Sequence, residues 1–437
     1  MKIIDRLYQK ETKETIWSFA TKLAAAVLFV VLNAYLARTL GPDLWGSWSF
    51  LLSILTVVIL LAHLGLNNAA RAYAARYVGT ETLRRVLRAS LTLRIAASAV
   101  FTALFVLLHE PLAAWIDRPD LAAPLRAAAP LVFLMGFAEY LKQLFTGLHR
   151  LKFHLLTNLV EFGSKIAFSV LLLRIAVALE NLVLAFWLAV GLSVLVGMVV
   201  WRRFYLDPGA AGAAPVSLPP DEPDLLIRIL RYSLPLFVIS IGFAVLTEID
   251  TLMLGLLSTD FEVGQFAIAK QLANKLPQFA LALSMGTMPG FARMAPENME
   301  VMRTRFKGVL RLNALAFVPG GLLLVLLAPR LIPLVFGPEY TGAVLPLQIL
   351  TLWVVLSSFN MFFNALLDYQ GRAARRARNF ILTIFLTIAL NLVLIPRFGA
   401  AGAAIATTVS FLPYVVLNLL EVREIFERSE TIPPQAA

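Results

Sequence analysis

About twelve long apolar stretches, joined by short connections that alternate between rich and poor in Lys and Arg, constrain this chain more than any other feature. A run of about 20 apolar residues matches a hydrocarbon core of about 30 Å, and backbone crossing it must satisfy its own hydrogen bonds as helix. The pattern predicts spans over Trp17–Leu36, Trp45–Leu66, Ala89–Leu108, Leu121–Leu144, Leu155–Leu173, Leu182–Trp201, Tyr232–Leu256, Gly264–Met285, Val309–Leu327, Ala343–Leu366, Phe380–Ile395 and Gly402–Leu420. Most of the 38 Lys and Arg fall in the termini and in alternate connections, notably Arg71–Arg88, Arg293–Arg311 and Gly371–Arg378. Cationic loops stay on the cytoplasmic side, so both termini are expected inside a multi-pass protein of the cytoplasmic membrane.

The net charge of +11 sits in short loops, where it orients spans and meets anionic lipid, and it does not point to nucleic acid. With no Cys, disulfides and cysteine-ligated metals are excluded. The polar, basic N-terminal segment leads into a full-length span, which reads as an uncleaved anchor.

The Pro-, Gly- and Ala-rich segment Phe204–Asp224 divides the chain into six spans and six. The expected domains are an N-terminal six-helix lobe over 1–203, a cytoplasmic linker over 204–230 and a C-terminal six-helix lobe over 231–437. Weak self-similarity supports two copies: "LGPDLWGSWSF" answers "LSTDFEVGQFAIA", setting Gly46 opposite Gly264, and Gly147 stands opposite Gly371 in a second pair of segments. Six spans per copy give both the same orientation. The predicted fold is therefore an all-α polytopic membrane protein, two parallel six-helix lobes around a central cavity.

Charged residues at membrane depth carry the functional signal, because a Lys or Arg near the bilayer centre costs about 2.5–3.5 kcal/mol on insertion scales. Glu139 with Lys142 and Glu161 with Lys165 have spacings that place each pair on one helix face. Lys22, Arg94, Lys270 and Lys275 have no such local partner. On the eighth span, Lys270, Gln271, Asn274, Lys275 and Gln278 share an arc of roughly 140°, which cannot face lipid and is expected to line a hydrated cavity. Ser18, Lys22 and Asn33 form a stripe on the first span, and Ser357, Asn360, Asn364 and Asp368 one on the tenth; the Asn stripes read as interhelical hydrogen bonding. On the seventh span Asp250, sharing an arc with Ser240, Thr247 and Thr251, is a better candidate than Glu248 for an ion or proton site.

"NLVLIPRFGAAGAAIATTVS" at Asn391–Ser410 resembles the closing signature of bacterial polysaccharide flippases. These form the oligosaccharide-exporting branch of the multidrug/oligosaccharidyl-lipid/polysaccharide superfamily. "LGPDLWG", "LPLFVISIGFAVLTEIDTLMLG", "EVGQFAIAKQLAN" and "FGPEYTGAVLPLQIL" continue the resemblance in order along the chain. It implies a transporter and no enzyme: a flippase that moves an undecaprenyl-diphosphate-linked oligosaccharide from the inner to the outer leaflet. Lys22, Arg94, Lys270 and Lys275, with Asn274 and Gln278, are then expected to contact its headgroup, since lysines supply mobile charges for a diphosphate. Related peptidoglycan-precursor flippases suggest a cation site of Asp250, Asn391 and Thr407 or Thr408, for Na+ or H+ as the coupling ion. Thr383, Thr387 and Asn391 form one stripe leading to it, whereas the second acidic residue sometimes found there is replaced by Ile395. Other expected partners are the bilayer and glycan polymerase or other assembly proteins. The competing readings are a cation-coupled drug exporter of the sister branch and a membrane glycan polymerase or ligase. The latter needs a catalytic outer loop, and His63, His109, His149 and His154 are scattered over different ends.

Overall fold

The computed structural model describes residues 2–78, 82–206, 225–277, 280 and 299–428; within these, side chains are described from residue 24 on, apart from 204–206, 238–239, 243–244, 299 and 428. The described residues form helices α1 (Lys2–His63), α2 (Leu66–Tyr77), α3 (Thr82–Trp115), α4 (Ala122–Gly147), α5 (Leu151–Leu173), α6 (Leu179–Leu206), α7 (Leu225–Leu257), α8 (Asp260–Lys275), α9 (Met299–Phe336), α10 (Val344–Tyr369) and α11 (Ala373–Arg428). Short 3₁₀ turns at Pro119–Leu121 and Pro338–Ala343 lead into α4 and α10.

Among the described residues nine helices are long and apolar enough to cross a membrane. Two of them hold two expected spans each. The helix Ala24–His63 breaks at Gly41 (φ 73°) and Ala373–Glu427 breaks at Gly399 (φ 52°). These are left-handed conformations that Gly adopts without a Cβ clash. Pro42 follows Gly41 at the first position of the second leg, where its missing N–H is no loss. The eighth expected span coincides with α8 as far as Lys275 and continues outside the described residues. One basic connection, Arg71–Arg88, is partly helical: α2 buries Leu66, Ala69, Ala70, Tyr73, Ala74 and Tyr77.

The helices are turned inside out relative to those of a water-soluble protein. On α3 the buried residues include Ser90, Arg94 and Ser98, while Val100, Leu104, Leu107 and Leu108 are exposed. Exposed Leu312, Leu315, Leu322, Leu323 and Leu326 do the same on α9, whose Asn313 donates inward to Ser358 at 2.9 Å. An apolar outside suits lipid, and polar groups find partners within.

The chain forms two compact units, Met1–Leu40 with Leu51–Glu248, and Gly41–Phe50 with Ile249–Ala437. The first is built on an aromatic cluster around Phe137, Tyr140 and Phe145 and a second around Tyr73, Tyr77 and Ile229. The second is built around Phe306, Phe362, Phe411, Tyr414 and Phe426. Of the expected linker, 207–224 lies outside the described residues, while its ends belong to α6 and α7.

Inside the second unit the segment Gly41–Phe50 packs on the start of α8. A Cβ on Gly46 would overlap the Asp260 carbonyl oxygen, and one on Gly264 would overlap the Pro42 carbonyl oxygen. Asp260 and Gly264 stand 218 residues after Pro42 and Gly46, so matched positions of the two repeats exchange the same contact. The Asp260 carboxylate also accepts a hydrogen bond from Ser47 at 2.5 Å.

Candidate cation site and buried lysines

The break at Gly399 builds the site in the second unit. Asn391 lies eight residues before it and Thr407 eight residues after it, so each stands about 12 Å along its own leg from the turn and both reach the same depth. The second leg is started by Glu262 of α8, whose carboxylate accepts the Ala400 N–H at 2.7 Å and satisfies an otherwise open helix N-terminus. Between the legs sits Asp250 of α7, only 4% exposed. Asn391 Nδ2 donates to its Oδ1 at 2.7 Å and Thr407 Oγ1 to its Oδ2 at 2.7 Å. The Oδ1 of Asn391, a residue 0% exposed, is a buried acceptor without a partner among the described residues.

Three hard oxygen donors, one of them an orphan, form the arrangement that accepts a small hard cation or a proton. Thr408 does not join it; one residue on, it turns about 100° away and donates to the Ile349 carbonyl at 3.3 Å. Thr387 and Thr383 continue the stripe, Thr387 bonding Ser410 at 2.8 Å. Below them lies a network the sequence reading did not find as one object. Asn379 donates to Asn418, and Asn418 donates to both Asn360 and Asn364, at 3.0–3.1 Å. Asn360 and Asn364 stand out on the tenth-span stripe, but Asn379 and Asn418 do not, and the pairing of all four needs the fold.

The expected headgroup residues are placed in different settings. Lys270 donates to Thr251 at 2.7 Å, so the lysine is tied to the residue next to Asp250. Asn274 is half-buried and Lys275 exposed on the same helix. The Lys22 side chain and Gln278 lie outside the described residues. Arg94, expected in the basic cavity, is 0% exposed and donates through Nη1 to the Ala62 carbonyl at 2.9 Å, at the end of α1. Glu161 and Lys165 pair as expected, at 2.6 Å, but Lys142 reaches across from α4 to the same Glu161, at 2.7 Å, and not to Glu139. Glu139 instead accepts from Gln143 at 2.9 Å.

Residues 12–295 match the model of the family described as polysaccharide biosynthesis protein. The chain belongs to the polysaccharide biosynthesis protein family. The probable low-salt glycan biosynthesis flippase Agl15 of Haloferax volcanii is 25% identical to this family member over 229 residues, covering 52% of this chain and 47% of the relative. The probable flippase AglR of the same organism is 27% identical over 194 residues, covering 43% and 40%. The chain thus spans less than half the length of these two curated relatives. Among solved structures, an inward-facing multidrug resistance MATE family transporter of the MOP superfamily has a TM-score of 0.72 at 16% identity, covering 95% of this chain and 99% of that one. The lipid II flippase MurJ in its inward closed conformation has a TM-score of 0.72 at 13% identity, covering 96% and 90%. This family member is therefore a multi-pass membrane protein with a two-lobe, all-α transporter fold.

Proposed function

We propose that this polysaccharide biosynthesis protein is a flippase for an undecaprenyl-diphosphate-linked oligosaccharide, an O-antigen or exopolysaccharide repeat unit. It carries the headgroup from the inner to the outer leaflet by alternating access, in a bacterial cytoplasmic membrane with both termini inside, and hands it to a glycan polymerase or other assembly proteins. The observation that carries this reading is a lysine and a carboxylate engaged at adjacent positions of α7: Lys270 donates to Thr251, and Asp250 accepts from Asn391 and Thr407. The ammonium group, with Lys275 and Lys22, meets a phosphorylated headgroup that hydrocarbon alone would reject. Asp250 takes Na+ or H+, and because it is adjacent to the lysine's anchor, its charge state biases the lysine's availability. Agl15 and AglR, both named as flippases, support the transport class.

The test is complementation of a strain lacking its repeat-unit flippase, scoring surface glycan and the amount of inserted protein. Replacing Lys270 and Lys275 together by Ala is expected to abolish export with insertion unchanged; unimpaired export removes them from the mechanism. Asp250→Asn keeps the shape but loses the charge, and should lower export by about 10- to 100-fold, the usual range of coupling between two sites. It should also abolish any stabilisation of the purified protein by Na+ or by acid. Wild-type export from the variant would show that Asp250 couples nothing.

A further inference from the structure

We propose that Arg94 belongs to a closed site in the first unit for a small monovalent inorganic anion, chloride in ordinary salt. Arg94 stands within the lipid-spanning part of α3 and is 0% exposed. Of its five N–H donors, those on Nη1 meet the Ala62 carbonyl, whereas Nε and Nη2 are buried with no hydrogen-bond partner among the described residues. Gly136 of α4 makes the room: Nη2 occupies the place where a Cβ would stand. One and two turns further along the same face of α3, the hydroxyls of Ser98 and Thr102 are likewise buried without partners. Unmet donors therefore run along one face of the helix, headed by a cation.

The surrounding charges do not supply the missing partner. The titratable groups that act on Arg94 are Tyr140 and Glu139 from α4 and His63 from the end of α1. The Tyr140 hydroxyl is engaged with Ser90 at 2.7 Å, and Glu139 accepts from Gln143. Neither Arg94 nor Glu139 takes part in an ion pair among the described residues. Glu161, the other carboxylate at this depth, is already shared by Lys142 and Lys165. Across the middle of α3, α4 and α5, three cations thus stand against two carboxylates. One uncompensated positive charge, buried in a helix bundle, is strongly disfavoured. A single negative charge completes the balance, and the unmet donors of Arg94, with the Ser98 hydroxyl one turn on, are the groups that would hold it. The bond from Arg94 to the Ala62 carbonyl then ties the end of α1 to the same site, so anion binding stabilises this corner of the first unit.

The experiment measures thermal unfolding of the full-length protein in nanodiscs of uncharged lipid, with sodium chloride against sodium gluconate at matched ionic strength. The expected result is a midpoint about 3–5 °C higher in chloride, with bromide replacing chloride. Arg94→Gln, which keeps a single NH2 donor but removes the charge, should abolish the difference, and Ser98→Ala should weaken it. A bromide anomalous peak beside Arg94 in crystals would support the site even if Arg94→Gln fails to fold. Equal midpoints for the wild type in the two salts, or a chloride shift retained by Arg94→Gln, would overturn it. So would a shift produced only by undecaprenyl phosphate, which would return Arg94 to the headgroup. None of these readouts depends on transport, so the inference stands or falls apart from the flippase reading.

Discussion

Replacing Glu161 by Gln is expected to lower the stability of the protein by about 3–5 kcal/mol, the largest effect foreseen for any single substitution in the first unit. The carboxylate lies between the ammonium groups of Lys142 and Lys165, at 2.7 and 2.6 Å, with all three side chains at most 10% exposed. An amide of the same shape leaves two buried cations with no counter-charge. Lys165 retains the faces of Phe162 and Phe186, at 5.4 and 5.0 Å, but ring quadrupoles offset only about 1–2 kcal/mol. Unfolding in lipid nanodiscs, read by heat or by detergent titration, gives the answer; a loss below about 1 kcal/mol would show that water reaches the trio. Exchanging all three for Met, Leu and Met should, by contrast, leave stability within about 1 kcal/mol of the parent, because removing a buried ionic group whole also removes its desolvation cost.

Gly46→Val is expected to cost about 3 kcal/mol and to loosen Gly41–Phe50 from the second unit. The new Cβ falls on the Asp260 carbonyl oxygen, and a backbone atom cannot escape by changing rotamer. Gly264→Val should behave alike, since its Cβ falls on the Pro42 carbonyl oxygen. Gly163→Ala is the control: nothing lies within 4 Å of the added atom, and a helix interior gains up to about 1 kcal/mol from losing a glycine. If Gly46→Val and Gly163→Ala unfolded at the same temperature, the tight contact would have no energetic weight.

Much of the fold was legible because apolar length and cationic connections act locally. A span of twenty residues needs no tertiary partner to be recognised, and the helices follow the expected stretches closely. Gly41 and Gly399 separate pairs of expected spans, and there the sequence carried its own punctuation in Gly-Pro and Gly-Ala-Ala. The site was legible only where a helix wheel suffices. Asp250 was favoured over Glu248 by its face, and it does meet Asn391 and Thr407. Choosing between Thr407 and Thr408 required the angle between two legs of a broken helix, which no wheel contains. The same limit explains Lys142: spacing along α4 offers Glu139, but the carboxylate it finds comes from α5. Arg94 shows a further limit, since a cation without a local partner can as well be sealed inside a bundle as face a cavity.

The mirrored approach of Gly46 to Asp260 and of Gly264 to Pro42 is what two identical subunits would make around a dyad. Each glycine thereby constrains the backbone of the segment matched to the other, so a side chain added at either position disturbs both strips of chain. Substituting one glycine removes one of the two matched approaches and leaves the other standing, so the corner can be opened from either side separately.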